Sequence, residues 1–228
     1  MGSKKKLSKK LLPLILENRK ENQWYIEPFV GGFNLIENVN GNRWGNDNHL
    51  YLIELFKAIQ QGWEPPDYVS EEEYKEVRAN SLKYPNYLVG FIGFASSYGG
   101  KWWGGYARGK TTKGESRNYT LETKNHLMKQ KHKINDVKIT YGCYSELCLP
   151  DNCIIYCDPP YQGTTKYHQS FDYNHFFNWC RNMKEQGHTI YLSEYSAPDD
   201  FKCIFSAEQK SNLILRNTKQ STEKLFTL

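Results

Sequence analysis

The run Cys153-Ile154-Ile155-Tyr156-Cys157-Asp158-Pro159-Pro160-Tyr161 passes from an apolar, β-branched and aromatic stretch to a carboxylate and two consecutive prolines. Short runs of this kind suit a buried parallel strand, and neither proline nitrogen can donate to a ladder beyond it. The strand is therefore expected to end in a rigid polar tip, Asp158-Pro159-Pro160-Tyr161. Ligands of open α/β sheets bind outside the carboxyl ends of the strands, so this tip is expected to line a site. The carbonyls of Asp158 and Pro159 lie in extended backbone with few local donors. A carboxylate and a carbonyl match the two N–H groups of an exocyclic aromatic amine, and drawing on both makes the nitrogen more nucleophilic. Tyr161 offers a flat surface for stacking on the attached ring. The same four residues also serve as a turn that closes a strand.

Outward from this tip, the chain alternates strands and helices. Trp24-Tyr25-Ile26-Glu27-Pro28-Phe29-Val30-Gly31-Gly32-Phe33-Asn34 reads as a strand, a glycine turn and then a helix. Glycine at 31 and 32 removes the Cβ atoms that would keep a ligand off the backbone, and a helix N-terminus would add unpaired N–H groups. The spacing fails the Gly-x-Gly-x-x-Gly pattern, which argues against a nicotinamide enzyme. Arg43-Trp44-Gly45-Asn46-Asp47-Asn48 reads as a second strand, followed by an amphipathic helix from Leu50 to Ile59. An acid at this strand end, Asp47, suits the two hydroxyls of a ribose; Asn46, Asp47 or Asn48 also suits a helix N-cap. Beyond the tip, 171–186 reads as a helix, 188–194 as a strand ending in Ser193-Glu194, and 201–205 with 212–215 as a closing hairpin.

Residues 62–140 interrupt this alternation. They open on Gly62-Trp63-Glu64-Pro65-Pro66, continue through an acidic helical stretch from Ser70 to Asn80, and then change sign. Residues 98–138 hold ten Lys or Arg against three acids, a net of +7 in a chain whose total is +5. A basic segment on an otherwise near-neutral chain is an electrostatic footprint for a polyanion. Within it, Gly99-Gly100-Lys101-Trp102-Trp103-Gly104-Gly105-Tyr106-Ala107-Arg108 interleaves glycines, cations and large aromatics. That mixture suits stacking on bases and bracing of phosphates; the other reading makes the tryptophans core and the lysines a solvated face.

The glycine turn, the acid at 47, the basic segment and the Asp-Pro-Pro-Tyr tip occur in an order that resembles the Dam-like (D12 class, alpha-group) DNA adenine-N6 methyltransferases of phage and prophage type. The resemblance implies an α/β fold, a class I S-adenosylmethionine-dependent methyltransferase (Rossmann-like) sheet with an inserted, mainly helical DNA-recognition region. On this reading 1–61 and 141–228 form the catalytic domain and 62–140 the target-recognition insertion. It implies catalytic roles for Asp158, Pro159, Pro160 and Tyr161. Gly2-Ser3-Lys4 resembles the family's Gly-Gly-Lys segment, which makes Lys4 a cofactor contact beside Phe29, Gly31, Gly32, Asp47 and Asp158. The family pattern Phe-x-Gly-x-Gly is kept at Phe29 and Gly31 but has Phe33 at its last glycine, with Gly32 one place earlier. Lys101, Trp102, Arg108, Lys110, Lys113 and Arg117 are the implied DNA contacts. Gln162 to Tyr167 is a polar loop placed to close over a flipped base, and Glu223-Lys224-Leu225-Phe226 resembles a common family ending. The implied cofactor is S-adenosylmethionine, with S-adenosylhomocysteine as product and no metal. The implied partner is double-stranded DNA, with no membrane and no obligate protein partner. Two alternatives stay open: transfer to cytosine N4, and a DNA-binding homologue without turnover.

Composition agrees with this reading. A chain of 228 residues can bury one core and carry an inserted lobe. It has no run of about 18 apolar residues and no visible signal peptide, so a cytoplasmic location is expected. The spacing of Cys143, Cys148, Cys153 and Cys157 does not match a zinc knuckle, and the cysteines are expected as buried free thiols. The histidines show no ligand spacing.

Overall fold

The computed structural model describes residue 4 and residues 7–161, 171–209 and 221–228. Seven strands form one sheet: β1 (Tyr25–Glu27), β2 (Arg43–Asp47), β3 (Lys138–Tyr141), β4 (Ile154–Cys157), β5 (Thr189–Glu194), β6 (Lys202–Gln209) and β7 (Ser221–Thr227). Their order is β3-β2-β1-β4-β5-β7-β6. The first five run parallel, and β7 lies antiparallel between β5 and β6. This is the class I methyltransferase arrangement, with the strand order reversing between β1 and β4. Ligand sites of open sheets lie at such a switch point.

Period-two alternation assigns the strand residues to two cores. Ile154 and Tyr156 face the layer that holds α1 (Ser8–Leu16), α2 (Leu50–Gln60), α4 (Asn86–Ala95) and α5 (Tyr119–Ile134). Cys153, Ile155 and Cys157 face the other layer, with Phe176, Trp179 and Cys180 of α6 (Tyr173–Glu185). The tip that follows β4 thus rests on a strand buried on both faces.

Local chemistry explains the helix starts. In α3 (Glu71–Ala79) the Ser70 hydroxyl accepts from the Glu73 N–H at 3.1 Å, and three glutamates occupy the first turn, where the helix dipole favours them. Asn118 caps α5 and Asp172 caps α6 in the same way. Buried Arg43 donates to the carbonyls of Ile36 and Lys133 at 3.0 and 2.9 Å and pairs with Asp136, which ties the end of α5 to the start of β2.

Three expectations need correction. No α-helix follows the glycine turn: Phe33 takes a left-handed φ of 60°, and only a 3-10 turn, Ile36–Asn38, forms before the asparagine-rich link to β2. The partner of β6 in the closing hairpin is β7, Ser221–Thr227, because Leu225 and Phe226 have the burial that β5 needs beside it; residues 212–215 lie outside the described residues. Of the six free cysteines only Cys153, Cys157 and Cys180 are buried, while Cys143, Cys148 and Cys203 are exposed on irregular or edge segments. In addition β3 begins at Lys138, so the sheet includes the last three residues of the 62–140 segment. Among the described residues no helix is long and apolar enough to cross a membrane.

Candidate active site

Four of the parallel strands deliver a carboxylate to the same edge of the sheet. Glu27 ends β1, Asp47 ends β2, Asp158 follows β4 and Glu194 ends β5. Residues at strand ends share an edge because parallel strands all point the same way; burial then makes each charge costly unless it is paired or protonated.

Asp158 pairs with Lys4 from one end of the chain, and Lys4 also pairs with Glu223 from the other. Asp158 Oδ1 lies 3.2 Å from Lys4 Nζ, and the same ammonium lies 2.7 Å from Glu223 Oε1 on β7. Lys4 also donates to the Tyr161 hydroxyl, which in turn donates to Glu223. The ammonium sits over the Tyr161 ring, 4.4 Å from its centroid, and the Tyr195 ring meets Tyr161 edge-on at 4.7 Å. Lys4 and Glu223 are buried, whereas Asp158 keeps 24% of its side-chain surface. Removal from water pushes the Asp158 carboxyl up and the Lys4 charge opposes that shift; Lys4 itself is held above the usual range because its two carboxylates outweigh its own burial. The Pro160 carbonyl accepts from the Tyr173 hydroxyl at 2.5 Å, while the Pro159 carbonyl accepts nothing among the described residues.

Glu27 is fully buried, and its carboxyl is pushed up to about 8 by burial, eased by the Tyr25 hydroxyl that donates to it at 2.8 Å. Burial thus favours its protonated form. A raised carboxyl binds a proton in the folded chain that the unfolded chain has released, so its contribution to stability falls as pH rises from the ordinary glutamate range toward 8. Glu27→Gln keeps the size and the acceptor but cannot ionise. Its stability relative to the natural chain is expected to rise by up to about 1.4 kcal/mol per pH unit between roughly pH 5 and 8. Denaturant melts of both proteins at pH 5, 6.5 and 8 check this, and a pH-independent difference would overturn it.

The glycine loop lies beside these acids. Gly31 donates to Asp47 Oδ2 at 3.0 Å, and His49 donates to Oδ1 at 3.0 Å, so the strand-end acid shapes the loop directly. Burial pushes the Asp47 carboxyl up against these bonds. Gly31 has a φ of +50°, and a Cβ there would meet no described atom within 4 Å, which leaves open space against the backbone. Phe33 explains the departure from the glycine pattern. Its φ of 60° belongs to glycine's region, and its ring is fully buried at 4.1 Å from Phe56. Left-handed backbone costs an L-residue about 1–2 kcal/mol, which burial of a Phe side chain, about 1.5–3 kcal/mol, offsets. The loop thus keeps a conformation that suits glycine, with a core residue in glycine's place.

The remaining predicted residues are placed as follows. The Phe29 ring turns away from the glycine loop into a cluster with Tyr144, Phe171 and Phe176 at 5.1–5.8 Å. The Trp102 indole packs on His49, Tyr51 and Phe94 and lies so close to α4 that a Cβ on Gly93 would come within 2.3 Å of it. It anchors the hairpin closed by the Ser97–Tyr106 bridge against the β2 end and stays half-buried. Lys101, Lys110 and Lys113 are exposed. Arg108 pairs with Glu71, and Arg117 grips Glu122 through two bonds of 2.6 Å with its guanidinium over Tyr119. Exposed pairs of this kind contribute about 0–1 kcal/mol, so phosphates can displace the acids. Gly2, Ser3 and the Gln162 to Tyr167 loop lie outside the described residues.

Three residues of the site were not assigned to it from the sequence. Glu27 lies inside the quoted strand, and its place at a strand end was the available signal. Glu223 lies far along the chain and is brought in only by the pairing of β7 with β5. Asn46, fully buried, donates to the carbonyls of Pro28 and Gly142 at 3.2 and 3.0 Å and accepts from Thr140 at 2.8 Å, fixing the ends of β1, β2 and β3 to one another.

Comparison with known proteins adds two findings. A family model described as D12 class N6 adenine-specific DNA methyltransferase matches residues 1–91 and 105–222. The unmatched stretch, 92–104, contains Lys101 and Trp102. The crystal structure of SMU.472, a candidate methyltransferase complexed with SAH, shares 11% identity at a TM-score of 0.39, over 100% of this chain and 52% of that one. This chain therefore spans about half that protein's length, and so distant a likeness supports no argument. No curated protein matches the sequence.

Proposed function

We propose, from the premise that the chain belongs to the D12 class N6 adenine-specific DNA methyltransferase family, that it transfers a methyl group from S-adenosylmethionine to N6 of an adenine flipped out of duplex DNA. The observation that carries this reading is the Asp-Pro-Pro-Tyr tip on buried β4, with Asp158 partly exposed and in contact with Lys4.

The residues present fit the cofactor. Gly31 leaves open space against the loop, Asp47 is the acid at the β2 end suited to ribose hydroxyls, and Lys4 faces the same cluster. One lysine shared between Asp158 and Glu223 leaves the cluster net negative, which favours a cationic sulfonium nearby. When bound, S-adenosylmethionine supplies an electrophilic methyl group on a sulfur that leaves as a neutral thioether. The chain's own part is to orient the amine. Asp158 and the Pro159 carbonyl accept the two N6 hydrogens, Tyr161 stands beside the base, and the proton lost once the N–C bond has formed passes to Asp158. Positioning and exclusion of water supply most of the rate, and the loss of stacking on flipping, a few kcal/mol, is offset by contacts of the protein with DNA.

The DNA contacts are assigned to the insertion between α2 and β3. Lys101, Lys110, Lys113, Arg108 and Arg117 give it a cationic surface suited to phosphates, and Trp102 is assigned the role of holding its aromatic hairpin.

Transfer of labelled methyl groups from S-adenosylmethionine to unmethylated DNA, followed by nucleoside analysis, tests this reading. Label in N6-methyladenine is the expected result. Label in N4-methylcytosine would change the base, and DNA binding without transfer would leave a binding protein on a methyltransferase fold.

A further inference from the structure

Glu223 takes no part in the chemistry above, yet it is buried at the centre of the cluster. The Lys4 ammonium is closer to Glu223 (2.7 Å) than to Asp158 (3.2 Å), and the Tyr161 hydroxyl donates to Glu223 as well. We propose that Glu223 is a positioning residue of the reaction: by holding the Lys4 ammonium closer to β7 than to Asp158, it leaves Asp158 able to accept the substrate amine. The proposal rests on the methyl-transfer reading.

The reason is competition for one cation. Lys4 is the only ammonium that pairs with either carboxylate among the described residues. Without Glu223, its strongest partner would be Asp158, and an ammonium held on that carboxylate occupies the acceptor that the N6 hydrogens need. Glu223 also fixes the Tyr161 ring through its hydroxyl and so sets the plane beside the base. Its position follows from topology: β7 lies next to β5, and Glu223 falls just before the paired run Lys224–Thr227. The ionisable groups around Asp158 are Lys4 from the N-terminal segment, Glu27 from β1, Tyr156 and Cys157 from β4, Tyr161 from the tip and Glu223 from β7. Of these, Glu223 raises the Asp158 carboxyl by its charge and Lys4 lowers it.

The test is the pH profile of single-turnover methyl transfer to unmethylated DNA by the full chain and by the variants E223Q and E223D. In E223Q the loss of the charge lets Lys4 settle on Asp158. Plateau transfer is expected to fall roughly 10- to 100-fold, and the acidic limb is expected to move to lower pH, because Asp158 has lost a like charge and gained a closer cation. A structural role alone would lower the plateau and leave the limb in place. E223D keeps the charge with a shorter reach, so its limb is expected at the natural position with a reduced plateau; it also reads the effect if E223Q fails to fold. An E223Q limb at the natural pH, or a plateau within twofold of the natural chain for either variant, overturns the proposal. A natural chain that transfers nothing defeats the methyl-transfer reading itself, and this proposal with it.

Discussion

Asp158→Ala is expected to lower single-turnover methyl transfer by about 10³-fold at saturating cofactor and DNA, with the fold intact. The side chain is the acceptor assigned to the amine and to its departing proton, and loss of one preorganised electrostatic partner or general base costs about 10²–10⁴ in rate. The surrounding contacts explain why the loss falls on the rate. Lys4 keeps Glu223 as a partner when Asp158 is gone, so no ammonium is stranded in the interior. The Asp158 carboxyl is raised by burial, which means that its charged form is held at a cost in the folded chain, and its removal relieves that cost. The melting temperature is therefore expected to stay the same or rise. Asp158→Asn separates geometry from charge, because the amide keeps one acceptor oxygen and cannot take a proton. Transfer by Asp158→Ala within tenfold of the natural chain would remove Asp158 from the chemistry. The acidic limb of the natural profile is expected above the ordinary aspartate value, in the direction that burial pushes this group.

Among the described glycines, Gly90→Ala is expected to damage the fold most. A Cβ at Gly90 would lie 2.1 Å from the Tyr51 carbonyl oxygen and 3.3 Å from the Leu55 Cβ, so α4 and α2 touch backbone to backbone at this point. A flexible side chain could turn aside, but a helix carbonyl moves only with its helix. Overpacking of a core typically costs about 1–3 kcal/mol and occasionally more; a backbone clash belongs at the upper end, while the better helix propensity of alanine returns only about 1 kcal/mol. The net expectation is a loss of about 3 kcal/mol, or on the order of 10 °C in melting temperature for a chain of this size. Function is expected to suffer too. α2 begins directly after Asp47 and His49, and His49 carries the Trp102 ring that anchors the hairpin. A thermal melt with a cofactor titration at a temperature where the variant is folded separates the two effects. An unchanged melting temperature would show that the helices can part at no cost.

The fold was legible where one short stretch carried both its secondary structure and its partner surface. Ile154 to Cys157 is buried on both faces, and the two prolines that follow stop the ladder, so strand, depth and tip could all be read from nine residues. The helical stretch opening at Ser70 was legible for the same reason, since its hydroxyl accepts from an N–H three residues away. Reading failed where the deciding contact was distant. The helix expected after Gly32 does not form because Phe33 sends its ring onto Phe56 of α2 and accepts a left-handed backbone to do so. The strand Ser221–Thr227 was not read, because only its pairing with β5 and β6 selects it. The packing of Trp102 on the rings of His49, Tyr51 and Phe94 was likewise not legible in its glycine and lysine neighbours.

By itself the sequence determined the class of fold, the strand-end tip and the candidate acids Asp47 and Asp158, since hydrophobic period, prolines and glycines act on the backbone within a few residues. Only the tertiary structure decided how the site is charged. Lys4 and Glu223 stand near opposite ends of the chain, and Glu27 belongs to a different strand from Asp158. Their meeting depends on the sheet order that sets β1 beside β4 and β7 beside β5. Protonation of Glu27, division of one ammonium between two carboxylates and the partial exposure of Asp158 all follow from burial and distance, which are properties of the packed molecule and of no single segment of it.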